Sequence, residues 1–212
     1  MLKSSDVNDI LQKLGEIYPE PRTELNFKTP FELLIATILS AQTTDRQVNG
    51  ITRTLFAKFS TPGDFSRLSV KQLEEEIKSC GLYKNKAKNI IETSRILSER
   101  YDSEVPSVFE DLVSLPGVGR KTANVVLANA FGRDVMAVDT HVFRVSNRLG
   151  LVSAPSPEKT EEELMKIIPE GLRNKAHHWL IFHGRNVCRA KKPKCTECNL
   201  RQYCRHYNEF FK

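Results

Sequence analysis

No apolar run in this chain approaches the roughly 20 residues that a membrane-spanning helix requires. The N-terminal stretch, acidic and amphipathic, lacks the apolar core and cleavage pattern of a secretory signal. A cytoplasmic, nucleoid-associated protein with no membrane partner is therefore expected. Sustained apolar–polar alternation is also missing, as is any long repeat, which argues against a sheet-based or solenoid architecture and for an all-α fold. Tryptophan occurs once, at Trp179, and is expected in the core. Cysteine occurs five times in 212 residues, with four crowded near one end. That usage excludes a secreted disulfide scaffold and points to a metal in a reducing compartment. Acidic residues are outnumbered: the net charge is +6, which suits a polyanionic partner.

What is present is helical periodicity. Val7, Ile10, Leu11, Leu14 and Ile17 share one face of a helix that Tyr18-Pro19-Glu20-Pro21 breaks. Thr29-Pro30 opens a segment from Phe31 to Leu39 that is apolar all round and hence central. A small polar break from Ser40 to Asp45 follows. Val48, Ile51, Leu55 and Phe59 form the stripe of the next helix, and Pro62-Gly63 is expected to turn the chain. Leu73, Ile77 and Cys80 mark a helix ending at Gly81, with Cys80 a core thiol. Ala87, Ile90, Ile91, Leu97 and Tyr101 line the inner face of the helix after Leu82-Tyr83. Pro155 and Pro157 mark a loop. Leu164, Ile167 and Ile168 sit on a helix stopped by Pro169, and a last long helix is expected from near Lys175 to Cys188.

The densest chemistry lies between Leu112 and Phe143. Leu115-Pro116-Gly117-Val118-Gly119-Arg120-Lys121-Thr122 reads as a tight turn feeding a buried helix that Gly132 ends. A Gly-x-Gly turn at a helix N-terminus presents backbone N–H groups and the positive end of the dipole, a phosphate site. Lys121 meets the wrong end of that dipole. A lysine kept there against that cost is either a phosphate contact or a candidate nucleophile. Eighteen residues further on, Asp139 in Val138-Asp139-Thr140-His141 stands at the start of the next helix, as an N-cap, a functional carboxylate, or both.

Near the C-terminal end, Cys188-x6-Cys195-x2-Cys198-x5-Cys204 places four thiols in one short loop. The spacing suits a tetrahedral zinc or a cubane iron–sulfur cluster and does not by itself choose between them. From Arg173 to Arg205 there are nine Lys or Arg and one acid, Glu197. Arg189, Lys191 and Lys192 lie in the first cysteine loop, where pinned cations can grip phosphates without reading sequence.

LPGVGRKTA followed by VDTH closely resembles the helix-hairpin-helix DNA glycosylases, and within them the endonuclease III family. The resemblance covers nearly the whole chain. It implies a six-helix lobe with the hairpin over residues 22–132, and a second helical lobe from 1–21 plus 133–212 that carries the cysteines. The active cleft would lie between the two. It implies Lys121 as the attacking amine and Asp139 as the essential carboxylate. Gln42 and Leu82 would be probes that enter the base stack, with Asp45 and His141 lining the pocket for the damaged base. Leu115, Gly117, Val118, Gly119 and Thr122 would hold the DNA backbone together with Arg189, Lys191 and Lys192. The cysteine spacing matches the family's cluster, so a [4Fe–4S] centre on Cys188, Cys195, Cys198 and Cys204 is implied.

The activity implied is that of a base-excision-repair glycosylase and abasic-site lyase. It would act as a monomer on duplex DNA, removing oxidised pyrimidines and cleaving 3′ to the abasic site by β-elimination. Adenine-mismatch and thymine-mismatch glycosylases share the hairpin, the Asp and the cysteines but generally lack the Lys. The adenine enzymes also carry a further C-terminal domain, which the eight residues after Cys204 do not supply. A module that only binds DNA would have no need of both Lys121 and Asp139.

Overall fold

Five helices in this chain start behind a threonine or serine, three of them with proline next in line. The computed structural model describes residues 2–210, and every regular element among them is helical. The elements are α1 (Ser4–Ile17), α2 (Pro30–Ser40), α3 (Asp45–Lys58), α4 (Pro62–Ser66), α5 (Val70–Ile77) and α6 (Tyr83–Arg100). They continue with α7 (Phe109–Ser114), α8 (Arg120–Ala130), α9 (Thr140–Leu149), α10 (Pro157–Ile167), α11 (Arg173–Asn186), a 3-10 turn at Cys195–Glu197 and α12 (Arg205–Phe210). Thr29, Thr61 and Ser156 cap α2, α4 and α10 by accepting from Glu32, Asp64 and Lys159 N–H, with proline at the first helical position each time. No helix among the described residues is long and apolar enough to cross a membrane.

Two compact units divide the chain: Thr23–Arg133, and the segments up to Arg22 and from Asp134 onward. In the first, α2 is the central helix, contacted by α3, α6 and α8. Leu33, Leu34, Ile35 and Leu39 are wholly buried on it. Truncating one of them to alanine would cost about 2–5 kcal/mol. Pro62-Gly63 does not simply turn the chain: Thr61 and Asp64 form a capping box that starts α4 there. Cys80 lies beyond the end of α5, in the turn before α6, and is a buried free thiol.

In the second unit α1 packs on α11, and α9 is contacted by α10, α11 and α12. Trp179 Nε1 donates to the Tyr18 carbonyl at 3.0 Å, which stitches the N-terminal segment to α11. The tryptophan is a core residue, as expected. Asp134 accepts from the N–H groups of Gly171 and Arg173 at 2.8 and 3.2 Å and pairs with the Arg173 guanidinium. From that anchor a buried non-helical segment, Met136-Ala137-Val138, leads to Asp139 at the start of α9.

Candidate functional site

In the hairpin of the Thr23–Arg133 unit, Leu115 ends α7 and Gly119 begins α8. The turn between them is fixed by Thr93, whose hydroxyl donates to the Pro116 carbonyl at 2.9 Å. Gly117 has φ of +78° and faces Asn89, so this glycine is required both by conformation and by space. Leu115 and Val118 are buried, and their N–H groups donate within the turn, to Leu112 and Leu115 carbonyls, at 3.1 Å each. They shape the loop rather than offer free N–H groups to a phosphate. The N–H groups of Lys121 and Thr122 belong to the first turn of α8, where helix geometry supplies no acceptor. Arg120 lies over the Phe109 ring, 5.1 Å from its centroid. Lys121, next to it, is exposed.

On the same unit, Gln42 follows α2 and Leu82 precedes α6. Both are exposed and both are left-handed, at φ 55° and 59°. Such a conformation costs a non-glycine residue about 1–2 kcal/mol. The two turns are neighbours: a β-carbon on Gly81 would stand 3.4 Å from the Gln42 carbonyl oxygen. Leu82 is 55% exposed, an apolar side chain in a strained backbone with no core to fill. Asp45, half-buried, is the first residue of α3.

On the other unit, Asp139 caps α9, with Oδ1 accepting from both His141 and Val142 N–H at 2.8 Å. The N-cap role is therefore real and falls on one oxygen. His141 Nδ1 lies 3.2 Å from the Arg144 guanidinium. Burial holds the His141 imidazole below its ordinary pKa, with Asp139 opposing. His178, which sequence reasoning passed over, also feels the Asp139 charge. Burial first, then His177 and Arg185, push it down to about 3. Its signal was a second histidine on an otherwise core-facing helix.

The four cysteines of the C-terminal loop line one cavity, together with Leu149, His183 and Tyr207. All four are free thiols. Burial drives the Cys198 thiol up to about 11, and the neighbouring cysteines add to the rise. Among the described residues no three His, Cys, Asp or Glu side chains group as a single-ion site. The loop is held from α9, another feature sequence reasoning missed. Arg144 Nε donates to the Cys188 carbonyl at 3.1 Å, and Arg148 donates to the Arg189 and Ala190 carbonyls at 2.7 and 3.2 Å. Arg189, Lys191 and Lys192 are exposed on it, with Lys192 left-handed at φ 51°.

Comparison with known proteins bears on this arrangement. The HhH-GPD superfamily base excision DNA repair protein model matches residues 35–170. An endonuclease III from Rickettsia conorii is 50% identical over 97% of this chain and 98% of its own. An endonuclease III from Escherichia coli is 50% identical over 93% of this chain and 94% of its own. A solved structure of a trapped endonuclease III–DNA covalent intermediate superposes with a TM-score of 0.95 at 45% identity, covering 100% of both chains. With the hairpin, the capped aspartate and the cysteine loop all present, these matches place the chain in the HhH-GPD superfamily and, within it, in the endonuclease III family.

Proposed function

We propose that this chain is a DNA glycosylase and abasic-site lyase of base-excision repair, removing oxidised pyrimidines from duplex DNA and cutting 3′ to the abasic site. The observation that carries the reading is exposed Lys121 in the first turn behind the Gly-x-Gly hairpin. It occurs in a chain that matches, over its whole length, a protein trapped covalently on DNA. The Lys121 amine bonds to C1′ of the extruded nucleoside as the bond from C1′ to the base breaks, and the base leaves with the electron pair and gains a proton. The sugar ring opens to a Schiff base. Loss of a proton from C2′ then expels the 3′ phosphate, and water releases the lysine.

Asp139 stabilises the positive charge that develops on the sugar, and its N-cap bonds fix where the carboxylate points. Gln42 and Leu82 take the place of the extruded nucleotide in the stack. Asp45 and His141 line the pocket for the base. Gly117, Gly119 and Thr122 hold backbone phosphate, with Leu115 and Val118 shaping the turn beneath them. Arg189, Lys191 and Lys192 grip phosphates from the cysteine loop. In this reading Thr23–Arg133 is the hairpin lobe and the remainder is the cluster lobe.

Cys188, Cys195, Cys198 and Cys204 hold a [4Fe–4S] cluster. Supporting this are four thiols around one cavity, of which Cys195, Cys198 and Cys204 are held above the ordinary thiol range by burial and by the neighbouring cysteines, which disfavours their thiolates unless a cationic centre binds them. When bound, the cluster supplies a cross-link that fixes the basic loop. Equal iron and acid-labile sulfide in purified protein is the expected composition; zinc alone would overturn the assignment.

Borohydride trapping on a duplex carrying one thymine glycol, beside an abasic duplex, tests the activity. A stable adduct with both, absent in Lys121→Gln, is expected. An adduct on the abasic duplex alone moves the base substrate elsewhere. Neither adduct nor strand cleavage on either duplex leaves a DNA-binding module and overturns the reading.

A further inference from the structure

Gln42 and Leu82 are exposed, so their own side chains do not hold their left-handed backbones. What holds them lies underneath. Lys86, in the first turn of α6, is only 4% exposed. Its Nζ donates to the Leu39 carbonyl at 2.8 Å, the Ala41 carbonyl at 2.6 Å and Thr43 Oγ1 at 3.2 Å, and lies 3.1 Å from Cys80 Sγ. An ammonium group has three donors and no acceptor, and acceptor-bearing groups surround this one. No carboxylate is among these partners, so the group is buried to serve backbone rather than an ion pair.

The arrangement replaces a helix cap. The Leu39 carbonyl belongs to the last turn of α2, which has no intrahelical donor to meet it. Ala41-Gln42-Thr43 follows where a left-handed glycine commonly ends a helix. A cation from α6 closes that end instead, favourably oriented to the dipole. Meanwhile the Lys86 backbone N–H donates to the Leu82 carbonyl at 3.1 Å. Lys86 is thus bonded to Leu82 through its main chain and to both chain neighbours of Gln42 through its side chain. Cys80 reinforces the tie, with Sγ 3.3 Å from both the Leu39 carbonyl and Thr43 Oγ1. Gln47 of α3 adds a further bond nearby, from its side-chain amide to the Ser79 carbonyl.

We propose that Lys86 is a positioning residue that fixes Gln42 and Leu82 in one register, so that both enter the duplex as a single rigid probe. The inference rests on the probe roles given under Proposed function. Lys86 touches neither the DNA nor the reacting atoms. The step it serves is extrusion of a paired base, not chemistry at C1′.

Lys86→Met keeps the length and apolar stem and removes the donors. In the full chain, single-turnover excision of thymine glycol from a fully paired duplex is expected to fall about tenfold to a hundredfold, while cleavage at an abasic site in a single-stranded oligonucleotide stays within about twofold. Equal loss on both substrates means general structural damage and overturns the proposal, as does an unchanged rate on the paired duplex. In a chain that already carries both Gln42→Ala and Leu82→Ala, Lys86→Met is expected to cost nothing further, because Lys86 acts through those two residues; multiplied losses overturn it. If Lys86→Met does not fold, Thr43→Val removes one partner of Nζ and Cys80, and the same contrast between substrates decides. Gln42→Ala and Leu82→Ala measured alongside separate the two failures. If neither slows paired excision, the probe reading has failed; if both do and Lys86→Met does not, only the positioning role has failed.

Discussion

A β-carbon on Gly117 would stand 2.9 Å from Asn89 Nδ2 and 3.0 Å from Asn89 Cβ, so the hairpin turn is closed against the α6 side chain beneath it. The φ of +78° adds a second constraint at the same position. Gly117→Ala is therefore expected to destabilise the protein by about 2 kcal/mol and to weaken duplex binding with it. Adding Asn89→Ala removes the contacts with Nδ2 and Cγ but neither the 3.0 Å contact with Cβ nor the dihedral, so only about a third of the loss should return in urea unfolding. Full recovery in the double variant would show that the backbone is not strained there.

Asp139 carries two roles that one substitution can separate. Its Oδ1 accepts two backbone N–H groups at the start of α9, and asparagine caps a helix about as well as aspartate. Asp139→Asn is expected to leave thermal stability within about 0.5 kcal/mol of the native chain, while single-turnover base excision falls a hundredfold or more, an effect of about 3 kcal/mol. Asp139→Ala should lose the same activity and also about 1 kcal/mol of stability. An asparagine variant with native turnover would reduce Asp139 to a cap.

Much of this was legible in the sequence because local rules act without competition there. Ser and Thr caps with proline behind them mark helix starts, and the Gly-x-Gly turn and the cysteine spacing are short-range patterns. Lys86 was not legible: a lysine on the stripe with Ala87 and Ile90 reads as a surface residue that strayed, and its partners lie 43–47 residues away in sequence. The same holds for Arg148, which reaches 41–42 residues to the cysteine loop. Pro62-Gly63 misled for the opposite reason, since a turn signal and a helix N1 proline look alike until Asp64 closes the capping box.

The basic cysteine loop should be readable by salt. Arg189, Lys191 and Lys192 are exposed on a loop whose carbonyls are held by Arg148, so the three charges are presented together. Each phosphate contact contributes about 0.9 to the slope of log K against log salt, so neutralising all three is expected to flatten that slope by roughly 2 to 3. Fluorescence anisotropy with an abasic-analogue duplex measures it, and the loss should be nearly independent of base sequence. An unchanged slope would show that the loop does not reach DNA.

Stability toward acid should report His178. Its imidazole is 4% exposed and stacked edge-on to His177, whose Nδ1 donates to the Ala137 carbonyl at 2.7 Å. Burial, with help from His177 and Arg185, holds its pKa near 3, against an ordinary value of 6.5. Below pH 6.5 the unfolded chain takes up a proton that the folded chain refuses. The contribution is therefore full above 6.5 and is lost progressively as pH falls toward 3. At 1.36 kcal/mol per unit, going from pH 6.5 to 5 should remove about 2 kcal/mol. His183, held near 4 by burial, titrates in the same direction and cancels when His178→Gln is compared with the native chain. Urea unfolding at pH 7.5 and pH 5 is expected to show the smaller acid loss in His178→Gln. Equal losses in the two chains would mean that His178 takes up its proton in the folded state.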